Sequence, residues 1–227
     1  MTSLPASTER SLGLVIDLDT CVGCHACVVS CKEWNHGGYG APRSDTDPYG
    51  TDPSGTFLNR IHSFEAIPDD GAARVVHFPK SCLHCTDAPC AQVCPVDCFY
   101  TTNDGVVLHN KDTCIGCGYC FYACPFGAPQ YPKVGNFGSR GKMDKCTYCS
   151  GGPEEDLSIA EYEKYGANRL AEGKLPLCAE MCSTKSLLAG DGDIIAEIYR
   201  ERVVTRGYGS GAWGWKTAYG ETINVSV

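Results

Sequence analysis

Residues 114–125 read C-I-G-C-G-Y-C-F-Y-A-C-P, and this stretch decides the fold of the chain. Two residues separate each of the first three cysteines, and a fourth follows three residues later, directly before a proline. This spacing is typical of loops that hold a [4Fe–4S] cluster, in which three thiolates bind one cluster and the fourth binds its neighbour. Zinc sites favour paired C-x2-C units, so a zinc or disulfide site is the less favoured interpretation.

Three further cysteine groups accompany this run. Group one repeats its spacing, group two is spaced C-x2-C-x4-C-x3-C-P, and group four is split into two distant pairs. The groups are, in chain order, Cys21, Cys24, Cys27 and Cys31; Cys82, Cys85, Cys90 and Cys94; Cys114, Cys117, Cys120 and Cys124; and Cys146, Cys149, Cys178 and Cys182. Of the 17 cysteines only Cys98 is left over.

The composition narrows the possible functions. The 227 residues carry a formal net charge of −8, which argues against nucleic-acid binding. No apolar stretch approaches the roughly 18–20 residues that span a bilayer, so membrane contact is expected only through a partner. Residues 1–13 show no apolar core of a signal peptide, and the odd cysteine count argues against full disulfide pairing.

Short strands are predicted between the cysteine groups. Apolar residues 14–19 favour a strand that leads into group one. Two hairpins are predicted from strand-like runs on either side of turn residues. The first hairpin pairs residues 57–67 with 74–78, and the second pairs 99–102 with 106–109.

The end of the chain combines a predicted helix with an aromatic tail. Asp191 or Asp193 is expected to cap a helix to about Arg206, with Ile194, Ile198 and the Val203–Val204 pair near one face. The glycine-rich tail that follows contains Trp213 and Trp215. Exposed aromatic residues mark interaction surfaces, so we expect the tail to dock onto a partner subunit.

The crossover rule of two-cluster proteins assigns the cysteines to four ligand sets. Groups two and three exchange their fourth cysteines, and the flanking groups one and four do the same. Set A is Cys21, Cys24, Cys27 and Cys182; set B is Cys31, Cys146, Cys149 and Cys178; set C is Cys82, Cys85, Cys90 and Cys124; and set D is Cys94, Cys114, Cys117 and Cys120.

At this point the sequence resembles the iron–sulfur subunit of the dimethyl sulfoxide reductase superfamily of molybdenum or tungsten enzymes. The group order, the longer spacing in group two and the split group four carry the resemblance over residues 14–206. Within 82–220, P-V-D-C-F-Y, G-K-M-D-K-C-T-Y-C and W-G-W-K-T-A-Y-G are similar to a formate dehydrogenase beta subunit. Within 12–85, L-G-L-V-I-D-L-D-T-C-V-G-C-H-A-C and V-V-H-F-P-K-S-C-L-H-C are similar to the membrane-associated sulfite dehydrogenase.

The resemblance implies an α+β fold of two interleaved ferredoxin-like modules. The expected divisions are an outer module, 11–35 plus 139–190; an insertion with a hairpin, 36–79; an inner module, 80–138; and a C-terminal helix and docking tail, 191–227. Some relatives replace the second cysteine of group three by tryptophan and hold a [3Fe–4S] cluster there. This chain keeps Cys117, so four [4Fe–4S] clusters are expected.

The implied function is a non-catalytic electron relay between a molybdopterin catalytic subunit and a membrane quinone or cytochrome partner. The family places set A at the catalytic subunit, and set C is expected nearest the quinone side. The expected location is cytoplasmic, at the membrane through a partner, or periplasmic by co-export with a Tat-targeted catalytic subunit. A free-standing polyferredoxin, or a relay serving another substrate such as polysulfide, dimethyl sulfoxide or an acyl-CoA, is the alternative.

Several other residues near the cysteines could influence the clusters. His25 and His84 lie inside cysteine loops, where packing or hydrogen bonding near sulfur is favoured over direct ligation. Cys98 is expected close to a cluster but not bound to it. A positive charge beside a ligand favours the reduced cluster, and an ordinary solvated lysine is the equally favoured alternative; the four lysines in question are Lys32, Lys80, Lys145 and Lys185.

Overall fold

Six short strands and five helices connect the cysteine loops in the part of the chain that the computed structural model describes, residues 11–36, 57–67, 73–131, 142–151 and 168–206. The strands are β1 (Leu12–Ile16), β2 (Arg60–Ala66), β3 (Arg74–Lys80), β4 (Phe99–Thr101), β5 (Val107–His109) and β6 (Leu187–Asp191). The helices are α1 (Ala26–His36), α2 (Pro89–Gln92), α3 (Tyr119–Ala123), α4 (Leu177–Glu180) and α5 (Gly192–Thr205).

The strands form three antiparallel pairs. Both predicted hairpins are present, β2 with β3 and β4 with β5. The third pair joins β1 to β6, from Leu12 opposite Asp191 to Ile16 opposite Leu187. Residues before group one therefore lie beside residues after group four, although about 170 residues separate them along the sequence.

The first strand is shifted from its predicted position. It spans Leu12–Ile16 rather than residues 14–19, and a 3-10 turn follows at Leu18–Thr20. Asp17 ends the strand because it is fully buried and its carboxylate accepts hydrogen bonds from Arg206 and Arg202. Asp17 therefore ties the entrance of the group-one loop to the last turn of α5.

The predicted C-terminal helix is present with one error in its buried face. Asp191 is the N-cap, since its Oδ1 accepts from the backbone N–H groups of Asp193 and Ile194 at 3.1 and 3.3 Å. The sequence interpretation placed Ile194 on the apolar face, but Ile194 is 52% exposed and Ile195 is 1% exposed. Ile195 is the residue that packs against β1, where its Cδ1 lies 3.3 Å from the position that a Cβ on Gly13 would take.

Two apolar cores lie around the cysteine loops. The larger one contains β1, β6 and α1 residues together with Val106 and Leu108 of the second hairpin, and the smaller one contains Phe121, Tyr131 and Met143. Cysteines contribute to both cores. The aromatic tail from residue 207 onward and the centre of the insertion between Cys149 and Cys178 lie outside the described residues, so the docking prediction for Trp213 and Trp215 is untested.

No helix within the described ranges is both long and apolar enough to cross a bilayer.

Candidate iron–sulfur centres

The thiols of the two flanking groups come together across the fold. Burial and then the charges of the neighbouring thiolates, Cys182 first and then Cys21 and Cys24, raise the pKa of Cys27 to about 12. Burial is also the main reason that the pKa of Cys178 is raised, and the charges of Cys146, Cys149 and Cys31 raise it too. The structure thus brings the members of set A together, and those of set B.

The thiols of groups two and three exchange partners in the same way. All four members of set C line one pocket, which is partly open to solvent. In set D, burial and the nearby thiolates of Cys114 and Cys117 raise the pKa of Cys120 to about 11, although the hydrogen bond with Tyr131 lowers it. Cys94 joins them through Cys98, whose Sγ lies 3.5 Å from that of Cys94 and whose thiol is also hydrogen bonded to Cys114.

The four sets lie in the order A, B, C, D. Sets A and B are adjacent, because the charge of Cys27 acts on both Cys31 and Cys178. Lys145 connects sets B and C, since its Nζ lies 3.8 Å from the Sγ of Cys82 and donates to the carbonyl oxygen of Cys146 at 2.8 Å. Sets C and D are adjacent through Cys90 and Cys120.

This order corrects our expectation for the far end. Set C was expected nearest the quinone side, but it lies between set B and set D. The reason is the packing of Lys145 and His84, which hold the group-two loop against the group-four loop. Set D is therefore the end opposite set A, and its Cys117 is exposed, as Cys24 of set A is.

The donor atoms around the sulfurs fit [4Fe–4S] clusters. Backbone N–H groups point at four thiols: Cys98 N to Cys94 at 3.4 Å, Ala128 N to Cys124 at 3.4 Å, Met143 N to Cys114 at 3.3 Å, and Tyr148 N to Cys146 at 3.3 Å. Hydrogen bonds to cluster sulfurs stabilise negative charge there and help to set the reduction potential.

All 17 cysteines lie within the described residues as free thiols. Thiols that hold the corners of an iron–sulfur cube are spaced more widely than thiols around a single zinc ion, because each one binds a different iron atom.

The residue before the second cysteine of each of the four cysteine groups has a left-handed backbone. These residues are Gly23 (φ +65°), His84 (φ +47°), Gly116 (φ +69°) and Tyr148 (φ +60°). Glycine adopts this conformation without strain, whereas histidine and tyrosine do so at a cost that packing must offset. The two glycines belong to sets A and D, and the two large residues to sets C and B.

The two large residues pack against each other at the junction of sets B and C. The rings of His84 and Tyr148 meet edge to face, with centroids 5.4 Å apart. The Tyr148 hydroxyl donates to the Gly13 carbonyl at 2.6 Å and accepts from the Gly190 N–H at 2.9 Å, so it also joins β1 to β6. Tyr148 was missed in the sequence, although it occupies a position where groups one and three have glycine.

His84 behaves as expected for a residue beside the sulfurs. Its Nδ1 accepts from the backbone N–H of Val107 at 3.1 Å, which leaves the proton of the neutral ring on Nε2. Burial is the largest influence and lowers the pKa of His84, but the charge of the Cys82 thiolate and the hydrogen bonds to Cys146 and Cys82 together raise it to about 9. Bound iron would withdraw that thiolate charge, so the neutral ring required by the Val107 hydrogen bond is the form that fits a filled site.

Other polar contacts at the thiols escaped the sequence interpretation. The hydroxyl of Tyr131 lies 3.0 Å from the Sγ of Cys120, and Asn35 Nδ2 lies 3.4 Å from the Sγ of Cys31. Ser186 Oγ lies 3.3 Å from the Sγ of Cys182. Asn35 could have been found from its spacing, because it lies one helical turn after Cys31 in α1. The other two contacts depend on tertiary packing.

Comparison with known proteins places this arrangement in a family. Two models of 4Fe-4S dicluster domains match, one over residues 20–98 and one over residues 73–164. The sequence is 53% identical to the formate dehydrogenase iron-sulfur subunit of Wolinella succinogenes, over 88% of this chain and 92% of that protein. It is 43% identical to a sulfite dehydrogenase subunit of Allochromatium vinosum, over 79% of this chain and 68% of that protein.

The protein belongs to the family of iron–sulfur subunits of dimethyl sulfoxide reductase-type molybdopterin oxidoreductases. A component of the anaerobic dimethyl sulfoxide reductase of Escherichia coli is a more distant relative, 31% identical over 80% of this chain and 74% of that protein. The cofactors of this protein are accordingly [4Fe–4S] clusters. The two matching dicluster domains and the sixteen grouped cysteines agree with a total of four clusters. The protein is an iron–sulfur electron-transfer subunit.

Proposed function

We propose that the protein holds one [4Fe–4S] cluster in each of sets A to D and relays single electrons along them. One end would meet a molybdopterin catalytic subunit and the other a membrane quinone or cytochrome partner. The observation that carries this proposal is the linear order of the sets, with an exposed cysteine at each end, Cys24 and Cys117. Bound clusters supply the one-electron chemistry, and the polypeptide supplies spacing, insulation and electrostatic tuning.

The ligand sets imply two interleaved modules. Sets A and B would form the outer module from residues 11–35 and 139–190, and sets C and D the inner module from residues 80–138. Pairing of β1 with β6 supports this, because it closes the outer module around the inner one. Val106 and Leu108 of the inner hairpin pack into the core that contains β1 and β6, which supports a close fit between the modules.

Apolar residues beside the two exposed cysteines support docking at both ends. Val22 in the group-one loop is 60% exposed, and Ile115 at the equivalent position of group three is 57% exposed. On α3, Tyr119 and Tyr122 are 60% and 70% exposed next to Cys117. Surfaces of this kind bind partners more often than they face water, and a partner must approach a cluster closely to exchange electrons with it.

The relatives bear on the substrate. One is named a formate dehydrogenase subunit and another a sulfite dehydrogenase subunit. We propose that the catalytic partner of this protein oxidises one of these two substrates, with formate favoured by the higher identity. The proposed location is the cytoplasmic face of the membrane through a partner, or the periplasm if a Tat-targeted catalytic subunit carries the protein across.

Iron content and electron entry test the proposed function. Protein purified anaerobically should contain about sixteen iron atoms per copy of this chain, not counting iron held by partner subunits. A value near eight with bound zinc would refute four clusters. Cys24→Ser should stop substrate-dependent reduction of all the remaining clusters, seen by electron spin resonance, since electrons are proposed to enter at set A. If the other clusters still reduce at the normal rate, the orientation of the relay is wrong.

A further inference from the structure

The junction between sets B and C contains a fully buried lysine. The Lys145 side chain is 1% exposed and lines the empty space among the set C thiols. Its Nζ lies 3.8 Å from the Sγ of Cys82 and donates hydrogen bonds to the carbonyl oxygens of Val107 and Cys146. An ammonium has three donors, so all three are directed at partners that fix its position.

Val107 connects Lys145 to His84. Its carbonyl oxygen accepts from the ammonium, and its N–H donates to Nδ1 of His84. His84 lies in the group-two loop and also interacts with the thiol of Cys146 in group four. Lys145 precedes Cys146 and reaches Cys82 in group two. Each loop thus sends one side chain to a cysteine of the other, and both side chains hold the same residue of β5.

The ammonium of Lys145 lies against set C. Its Nζ is 3.8 Å from the Sγ of Cys82, and its side chain lines the pocket that all four set C thiols share. Its contact with set B is the carbonyl oxygen of Cys146 at 2.8 Å. A buried charge is screened less than an exposed one, so it acts strongly on negative charge at such a short distance.

The other lysines beside ligands are placed differently. Nζ of Lys185 donates to the carbonyl oxygen of Glu180 at a partly exposed position, and Lys80 is buried with its Nζ 6.0 Å from the ring centroid of Phe78. Lys145 combines burial with contact to a ligand sulfur. Its location between two ligand sets also distinguishes it from a lysine that serves one loop.

We propose that Lys145 is the electrostatic positioning residue of the B–C junction, where its buried ammonium stabilises the added electron in set C most strongly and in set B less. Reduction adds one negative charge to a cluster, and a fixed positive charge at its ligand favours that state. Electrons in the middle of the relay are thereby stabilised relative to those at its ends. This inference rests on the proposed four-cluster relay.

Replacement of the charge should move two potentials by different amounts. Lys145→Gln keeps two N–H donors for Val107 and Cys146 but removes the ammonium. In the purified complex, a redox titration followed by spin resonance should show the ratio of reduced to oxidised set C cluster falling at least tenfold at a fixed potential, about 59 mV for one electron. The same ratio should fall less for the set B cluster, and it should stay within twofold of wild type for the clusters of sets A and D. Cys24→Ser and Cys117→Ser assign the signals of the two end clusters.

Two further variants make the result decisive. Lys185→Met removes an ammonium at a partly exposed position near Cys182 and should leave the ratio of reduced to oxidised cluster within twofold of wild type for all four sets. If Lys145→Gln loses its clusters, Lys145→Arg, which keeps the charge, should assemble with the set C ratio within threefold of wild type. An unchanged set C potential in Lys145→Gln, equal shifts in all four clusters, or a tenfold fall in Lys145→Arg would each overturn the proposal. Fewer than four reducible centres in the wild-type complex would instead refute the proposed function.

Discussion

The four cysteine loops share one backbone conformation but differ in the side chain that adopts it. The end loops of the proposed relay are those of groups one and three, and the middle loops are those of groups two and four. All four have a left-handed residue before the second cysteine, but it is glycine in the end loops and His84 or Tyr148 in the middle. In the end loops the second cysteines, Cys24 and Cys117, are exposed. In the middle the two large side chains pack together and occupy the space between the loops.

The difference follows from what approaches each loop. A glycine lets another surface come close to the loop, and at Gly23 the ring of His77 already does so. At the junction no outside partner has to approach, so a large side chain can exclude water and a buried lysine can act at short range. Backbone strain is thus accepted where it is offset by packing and avoided where a partner must fit.

The largest expected effect is the loss of a buried cysteine ligand, which should harm the protein more than the loss of an exposed one. Cys82→Ser should lose the set C cluster, about four iron atoms, and reduce assembly of its neighbours, because the buried ammonium of Lys145 then lacks its thiolate. Cys117→Ser should affect only set D, since its site faces solvent. Iron per protein molecule and spin-resonance signals measure both outcomes.

Cys98→Ser provides the control for ligand loss. Cys98 is buried and lies 3.5 Å from Cys94, but it belongs to none of the four sets. Its replacement should leave iron content nearly unchanged, whereas Cys94→Ser should remove or convert one cluster. Equal losses from the two variants would show that set D is wrongly assigned.

Gly23→Ala should be the most harmful small change in an end loop. The added Cβ would lie 2.6 Å from Nδ1 of His77 on β3, at a residue with φ +65°. Strain and steric conflict together should cost about 2–4 kcal/mol and release the first hairpin from the loop. Gly173→Ala is the matched control, because φ is +70° there but no atom lies within 4 Å of the new Cβ. Similar losses of apparent melting temperature in both variants would exclude the contact with His77 as the cause.

Tyr148→Phe tests whether the Tyr148 hydroxyl stabilises the pairing of β1 with β6. It leaves the Gly13 carbonyl and the Gly190 N–H without the hydroxyl that joins them. Buried backbone groups that lose a partner should cost about 1–3 kcal/mol. Tyr119→Phe removes a hydroxyl from a residue that is 60% exposed and should change stability by no more than about 0.5 kcal/mol. Equal thermal stability of the two variants would contradict a structural role for the Tyr148 hydroxyl.

The smallest expected effect concerns the anchor of the set A loop and depends on pH. Burial favours a protonated Asp17, but Arg206 and then Arg202 outweigh it and lower the pKa below its usual value. A carboxylate with a lowered pKa stabilises the fold above its unfolded pKa of about 3.9, and this contribution is lost as the pH falls through the folded pKa. Asp17→Asn should therefore cost about 1 kcal/mol at pH 7, discounted because the arginines are partly hydrated. The difference from wild type should shrink below about pH 4, and a constant difference down to pH 3 would exclude the charge as its origin.

Local features of the fold were predictable because they depend on neighbouring residues. Both hairpins and the Asp191 cap agree with the sequence, since turn residues and capping side chains act within a few residues. The strand near Asp17 was shifted because a buried ion pair with Arg206, distant in sequence, ends it. The buried face of α5 was assigned to Ile194 instead of Ile195, because two adjacent isoleucines leave the choice to packing against β1.

The sequence by itself determined the cofactor type, the family and the number of thiols available, because cluster loops require fixed spacings along one short segment. The tertiary structure decided the order of the four sets and selected Lys145 from four equally plausible lysines. It also assigned a role to Val107, whose side chain gives no hint of one. These features depend on which loops meet after folding and on how completely water is excluded between them. The spacing of cysteines along the sequence predicts neither, because it constrains only the residues within one loop.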